Sequence, residues 1–549
     1  MVEHSAVNRV VVGSSPTRGA QGMKIRMQAG KRKASPFVIA DNREALDMRV
    51  LEKIEPQKVF YYFEEITRIP HGSGNVGQIS DFLKEFAVKR KLRVIQDEWK
   101  NVIIFQDATP GYEDEPTLIL QGHMDMVAVK TPDCGRNLKT EGLQVGVSGD
   151  DIYAEGTSLG GDDGIAVAYG LAILDSPELK HPALEIVFTV DEEVGMDGAR
   201  EIDLSMLKGN RLLNLDSEEE GIFLTSCAGG ARVNCGLTGS CEAVKKTDRY
   251  CQVVIDGLLG GHSGEEIHKE RGNSNLLLGR LLWKLCEEVP VRLVKAEGGL
   301  ADNAIPRKTE ALLAVRAEDC DAVEQIVAAY RQEIQTELER RDPGFSLTAA
   351  WVQTKAGQTK DGQAKAGADA AWTTAWTVAD TKRAAALLIG FPNGVQAMSA
   401  DIPGLVETSL NLGILHLEKD RFSAEFSVRS SLESAKAALI GKLEAVTALA
   451  GGDIQVSGEY PGWKYRADSP FRDKMIRVYR EMYGSEPQVE AIHAGLECGL
   501  LGSKIKDLDC VSIGPDMKNI HTTEERLSIA STKRVWEYLV KLLETKENN

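Results

Sequence analysis

Three apolar runs of strand length, 117–121, 184–190 and 211–215, each break off into a histidine or a group of acids. A nearly continuous apolar run of this length marks a strand buried on both faces, as in a parallel sheet covered by helices. Residues 164–175 between the first two runs have the character of a helix, and strands alternating with helices point to an α/β architecture. In such sheets, ligand-binding groups sit just past the carboxyl ends of the strands. The fold expected here is therefore a mainly parallel sheet flanked by helices, with polar chemistry along one rim.

The rest of the chain divides around that sheet. Val59, Phe60, Phe63, Ile66 and Ile69 recur at helical spacing until Pro70, a second helix covers 81–87, and short strands follow at 93–96 and 102–106. After Gly229-Gly230 the pattern changes: strands at 250–256, 312–315 and 347–352, helices at 273–288 and 321–340, a hairpin over 409–416 and 421–429, and a helix at 433–449. Residues 353–380, rich in Ala, Gly, Thr, Gln and Lys, read as a surface loop or mobile insertion. Near Tyr460-Pro461-Gly462 the chain returns to the first part, with helices at 470–483 and 531–545. The expected organisation is one domain over 48–228 and 459–549, interrupted by a long inserted α+β domain over 229–458. Residues 1–47 lack periodicity and read as a disordered tail. Gly13-Ser14-Ser15-Pro16 can also be encoded by a stretch with the form of a transfer-RNA T-arm, which would make Met48 the true start.

Composition narrows the function. At 549 residues, two to three domains are expected. A net charge of -17 argues against a nucleic-acid surface and against a basic membrane-binding helix. The nine cysteines contain no C-x-x-C pair, so they read as reduced thiols of a cytoplasmic protein. No apolar run reaches the ~18 residues of a spanning helix, and no secretory signal is legible.

Five segments carry the chemistry. In His123-Met124-Asp125 a ring nitrogen can bind a metal while the aspartate holds the other nitrogen, although an H-x-D pair by itself is more often an ordinary loop. In Gly161-Asp162-Asp163-Gly164 a carboxylate can bridge cations, although an Asp at a helix start is by itself more often an N-cap. Asp191-Glu192-Glu193 places three acids after a buried strand, and their repulsion is costly unless cations or protons offset it. A solvated acidic loop is the alternative. Asp216-Ser217-Glu218-Glu219-Glu220 and His521 complete the set. Nitrogen and oxygen donors without sulfur suit zinc, with manganese or cobalt as competitors.

Taken in order, these segments resemble the di-zinc aminoacylase/carboxypeptidase metallopeptidase family, and within it the Xaa-His dipeptidase branch that includes the cytosolic non-specific dipeptidases. Gly260-Gly261-His262-Ser263-Gly264, Asn303-Ala304-Ile305-Pro306-Arg307, Arg429-Ser430-Ser431 and His493-Ala494-Gly495-Leu496-Glu497-Cys498-Gly499 add to the likeness, which covers Met48 to the C-terminus. The resemblance implies two zinc ions bridged by Asp162, with His123 and Asp216 on one and Glu193 and His521 on the other. It implies that Asp125 orients His123 and that Glu192 is the general base. His262, reaching in from a closing lid or a partner copy, would stabilise the oxyanion. Arg429 would clamp the substrate carboxylate, Asn303 would contact substrate, and His493 and Glu497 would line the site or support the residues that do. A homodimer and a small peptide substrate belong to the same implication. Asp302 departs from the pattern, because a neutral or basic residue is expected before Asn303.

Three functions stay open on these residues. One is a dipeptidase of broad specificity, including Xaa-His and β-alanyl dipeptides. The second is an N-acyl amino acid deacylase or carboxypeptidase using the same chemistry. The third is a non-catalytic metal- or peptide-binding protein, against which Glu192 argues, since a binder needs no spare base.

Overall fold

The computed structural model describes residues 49–352 and 372–547. The expected tail over 1–47 and the first nineteen residues of the expected insertion, 353–371, lie outside the described residues.

An eight-stranded sheet carries the acidic segments. Its central strands are β1 (Leu118–His123), β2 (Leu184–Thr189), β3 (Arg211–Asn214) and β4 (Asp509–Ser512). The spatial order runs 93–96, 102–106, β2, β1, β3, β4, 222–227, 488–492. The four central strands run parallel, and antiparallel pairings enter only outside them. Each of β1 and β2 is buried along its length, which explains the unbroken apolar runs. Alternate residues serve different cores. Leu118, Leu120, Phe188 and Leu213 pack with Phe60, Phe63 and Ile165–Leu174 on one face. Ile119, Val187, Leu212 and Cys510 pack with Cys498 and Leu501 on the other. Helix α1 (Gly161–Leu174) covers the first face and helix α2 (Glu497–Lys504) the second.

The chain passes from strand Ile222–Cys227 to strand Gly229–Thr238, which belongs to a second sheet of nine strands. All its pairings are antiparallel. Helices Ser274–Glu288, Cys320–Leu338, Val378–Gly390 and Glu433–Leu449 bury their apolar faces in its core. The last strand of this sheet ends at Tyr460, and Trp463 then bridges back to Cys227.

One expectation is corrected. Residues 372–380, read from composition as part of a surface loop or mobile insertion, contain strand Thr374–Trp376 and the start of helix Val378–Gly390. Trp376 is fully buried against Phe422, and its indole N–H donates to the Lys419 carbonyl at 2.8 Å. One large aromatic outweighs its polar neighbours, because burying it removes far more apolar surface from water than they expose. No helix among the described residues is long and apolar enough to cross a membrane.

Candidate metal centre

The ligand-bearing residues meet at the carboxyl ends of β1, β2 and β3. Asp162 stands between two imidazoles: His123 Nε2 lies 3.1 Å from its Oδ1 and His521 Nε2 lies 3.0 Å from its Oδ2. His123 Nε2 also lies 3.5 Å from Asp216 Oδ1, and His521 Nε2 lies 3.0 Å from Glu193 Oε2. Two triads thus share one carboxylate, His123–Asp162–Asp216 and Asp162–Glu193–His521, each with donor atoms within 4.8 Å of one another. Glu192 has the same reach to His123 and Glu193. All five expected ligands, from five distant segments, are brought together.

Local geometry explains how. Gly160, before α1, has φ 67°, and a Cβ there would come within 2.8 Å of Met126 Sδ. A Cβ on Gly122 would come within 2.4 Å of Asp163 Oδ2. That close approach lets Asp163 accept the His123 backbone N–H at 3.1 Å. Asp191 takes φ 54° two residues past β2, at the turn that leads into Glu192 and Glu193, and its carboxylate accepts from Gly74 N at 2.6 Å. Asp125 lies beside His123, with Nδ1 3.5 Å from its Oδ1 and 3.0 Å from its carbonyl. The Asp125 carboxylate also accepts from the Glu192 backbone N–H at 3.1 Å and from Ser73 Oγ at 2.8 Å.

Charge is the dominant property here. Burial opposes a charge on His123, yet Asp216, Asp125 and Asp162 push its pKa well above the ordinary imidazole value. Hydrogen bonds donated by the His521 ring to Asp162 and Glu193 raise its pKa to about 10. Burial pushes Asp216 up to about 6 against the pull of His123. Burial also drives Glu192 well above its usual value, with Asp216, Glu497 and Glu193 adding to it against His123. Glu193 Oε1 is buried with no hydrogen-bond partner among the described residues. A crowded set of oxygen and nitrogen donors that binds protons this avidly fits divalent cations.

The remaining expected site residues gather elsewhere. His262, Arg429 and His493 surround Gly264: a Cβ there would lie 2.4 Å from the His493 carbonyl, 3.1 Å from His262 Cε1 and 3.3 Å from Arg429 Nε. Arg429 is buried, and its side-chain hydrogen bond among the described residues goes to Tyr460 OH at 3.3 Å. Burial, then Arg429, lowers the pKa of His262. The same causes lower His493 to about 3, and its Nε2 lies 2.7 Å from Ser409 Oγ. Asn303 is exposed and joins this region through its carbonyl, which accepts from Ser263 N at 2.8 Å. Asp302 pairs with Arg232 at 2.7 Å, which offsets its unexpected charge.

Some functional contacts escape a reading of the sequence. Glu525 accepts the backbone N–H groups of Leu159, Gly160 and Gly161 at 2.7, 3.1 and 2.8 Å, so the segment that supplies His521 also holds the Asp162 loop. Its only signal is an acid four residues after a ligand histidine. Gln121 and Asn214 offer a clearer one, as polar residues inside otherwise apolar strands.

The family model of peptidase family M20/M25/M40 matches residues 119–545. The chain belongs to peptidase family M20/M25/M40. A cytosol non-specific dipeptidase of Escherichia coli (strain K12) is 34% identical over 496 residues, covering 90% of this chain and 99% of that protein. The crystal structure of an aminoacylhistidine dipeptidase from Vibrio alginolyticus superposes with a TM-score of 0.83 at 35% identity, covering 92% of this chain and 99% of that one. Aminopeptidase PepT from Bacillus cereus, at 14% identity and a TM-score of 0.52 over 89% of this chain and 98% of its own, shares the fold. As a member of this family, the chain is a peptidase.

Proposed function

We propose that the chain is a two-metal dipeptidase whose cations are shared by Asp162. The observation that carries this reading is the Asp162 carboxylate, one oxygen facing His123 and the other His521, with Asp216 and Glu193 completing the two sides. Zinc suits these donors best, with manganese or cobalt as competitors. Bound there, the two cations would supply Lewis-acid polarisation of the scissile carbonyl and would acidify water. Asp125 fixes the His123 ring, and through the Glu192 backbone N–H it also fixes the base. Glu192, whose carboxylate lies within reach of His123 and Glu193, takes the proton from the attacking water and returns it to the leaving amine.

Arg429 is the group for the free carboxylate of the substrate. It is a buried guanidinium whose Nε lacks a partner among the described residues, and a guanidinium matches a carboxylate bidentately. His262, kept neutral beside it, serves the oxyanion when the region around 229–458 closes over the sheet, and Asn303 borders the same pocket. The E. coli and Vibrio relatives support dipeptides as the substrate class, Xaa-His among them. The same reading includes a homodimer in the cytoplasm. The test is a panel of dipeptides and N-acetyl amino acids, with metal content measured on the same sample. Hydrolysis of dipeptides at about two zinc per chain is expected. Turnover of N-acetyl amino acids alone would make the chain a deacylase.

A further inference from the structure

Gln121, Thr189 and Asn214 share strand parity with Ile119, Val187 and Leu212, which pack against Cys498 and Leu501. They therefore face α2. Each stands two residues before an acid or imidazole of the rim, namely His123, Asp191 and Asp216. Strand register pairs Gln121 with Asn214 and His123 with Thr189. A polar layer thus lies in the sheet directly beneath the metal centre.

Into this layer α2 projects Glu497, which is 0% exposed. Its Oε2 accepts from Gln121 Nε2 and from Thr189 Oγ1, both at 2.6 Å. Asn214 Nδ2 in turn donates to Gln121 Oε1 at 2.7 Å. One carboxylate oxygen thereby joins β1, β2 and α2, with β3 attached through Gln121. The first turn of a helix favours a negative charge, whereas burial, with Asp216 and Asp125 adding to it, pushes the Glu497 carboxyl up to about 7. An apolar side chain would fill this space without the cost of burying a carboxylate. What it could not do is accept a hydrogen bond from a side chain on each of the two strands whose backbones are paired over Leu118–His123 and Leu184–Thr189.

We infer that Glu497 is a positioning residue: through Gln121 and Thr189 it locks β1 to β2 and so holds His123 and the Glu192–Glu193 turn at a fixed distance around Asp162. This rests on the two-cation reading above. Glu497 acts through the strands rather than on substrate.

Three variants of the full chain test it: E497L, E497Q and T189V. Zinc affinity is read by chelator competition without substrate, kcat and KM on a dipeptide, and folding by Tm. E497Q keeps an oxygen able to accept both bonds, whereas E497L removes the acceptor. E497L is expected to weaken zinc binding and lower kcat about 10- to 100-fold, with KM changed by less than about threefold. E497Q is expected to recover at least about fivefold of that loss, and T189V is expected to add nothing in the E497L background, because both break one shared contact. The inference is overturned if E497L lowers Tm yet leaves zinc affinity and kcat within about twofold, or if E497Q is as impaired as E497L. Should E497L not fold, T189V alone decides: a loss of zinc affinity of at least about threefold supports the tether, and none removes it. A wild-type chain that neither binds zinc nor cleaves dipeptides would instead sink the two-cation reading, an outcome the unsubstituted chain shows by itself.

Discussion

The two clusters of functional side chains have opposite electrostatics. At the rim of the parallel sheet, Asp162, Glu193 and Asp216 outnumber the imidazoles and drive His123 and His521 toward their protonated forms. Around Arg429, burial and a guanidinium drive His262 and His493 toward their neutral forms. The same residue type is pushed in opposite directions by its neighbours. The first environment favours cations and the second favours anions, as the proposed reaction requires, with metal at one end of its substrate and carboxylate recognition at the other.

The contrast can be broken at several points. The largest effect is expected from Glu192→Gln, which should lower kcat by about 10²–10⁴ with zinc content unchanged. Loss of zinc along with activity would make Glu192 a ligand instead. In the second sheet, Trp376→Ala should cost about 3–5 kcal/mol of stability, read by denaturant unfolding, while zinc affinity stays as in the wild type. Coupled loss of both would mean that the two cores do not stand independently. Arg429→Met should cost about 1.5–3 kcal/mol in kcat/KM, expressed mainly in KM and confined to substrates with a free carboxylate. Equal losses on amidated substrates would remove the clamp.

The effect smallest near neutral pH is the pH dependence of stability. His493 has a folded pKa of about 3, below its ordinary value of 6.5, so the unfolded chain binds the extra proton between those values. Its contribution is absent above about pH 6.5 and destabilises progressively as pH falls toward 3. His521 in metal-free protein has the opposite sign: its stabilisation is complete below pH 6.5 and is lost as pH rises through about 10. Tm measured against pH should therefore flatten on the acid side in His493→Gln, and saturation with zinc should remove the alkaline decline. A wild-type acid limb retained in His493→Gln would assign that limb to other groups.

Some features are legible in the chain itself because their signal is local. Apolar runs ending in acids announce buried parallel strands with chemistry at their tips, and periodicity marks helices 433–449 and 470–483 down to their end residues. The hairpin around 409–429 is legible too, though its strands reach Val406–Glu418 and Arg421–Ser430. Trp376 is not, because average composition across a segment hides the one residue whose burial decides its fate. Asp162 shows the same ambiguity on a smaller scale: as a sequence it is the more ordinary N-cap, and His123 and His521 on its two oxygens are what favour the bridging reading.

The sequence by itself determined which residues could ligate and which strands would be buried, since donor chemistry and hydrophobic period are properties of short segments; the choice of Glu192 over Glu193 as base came from the family resemblance. Tertiary structure alone decided that Glu525 would hold the Asp162 loop, that Glu497 would join two strands beneath the centre, and that His493 and His521 would titrate in opposite directions. Those outcomes depend on groups hundreds of positions apart in the chain, and a proton responds to what is near it in space.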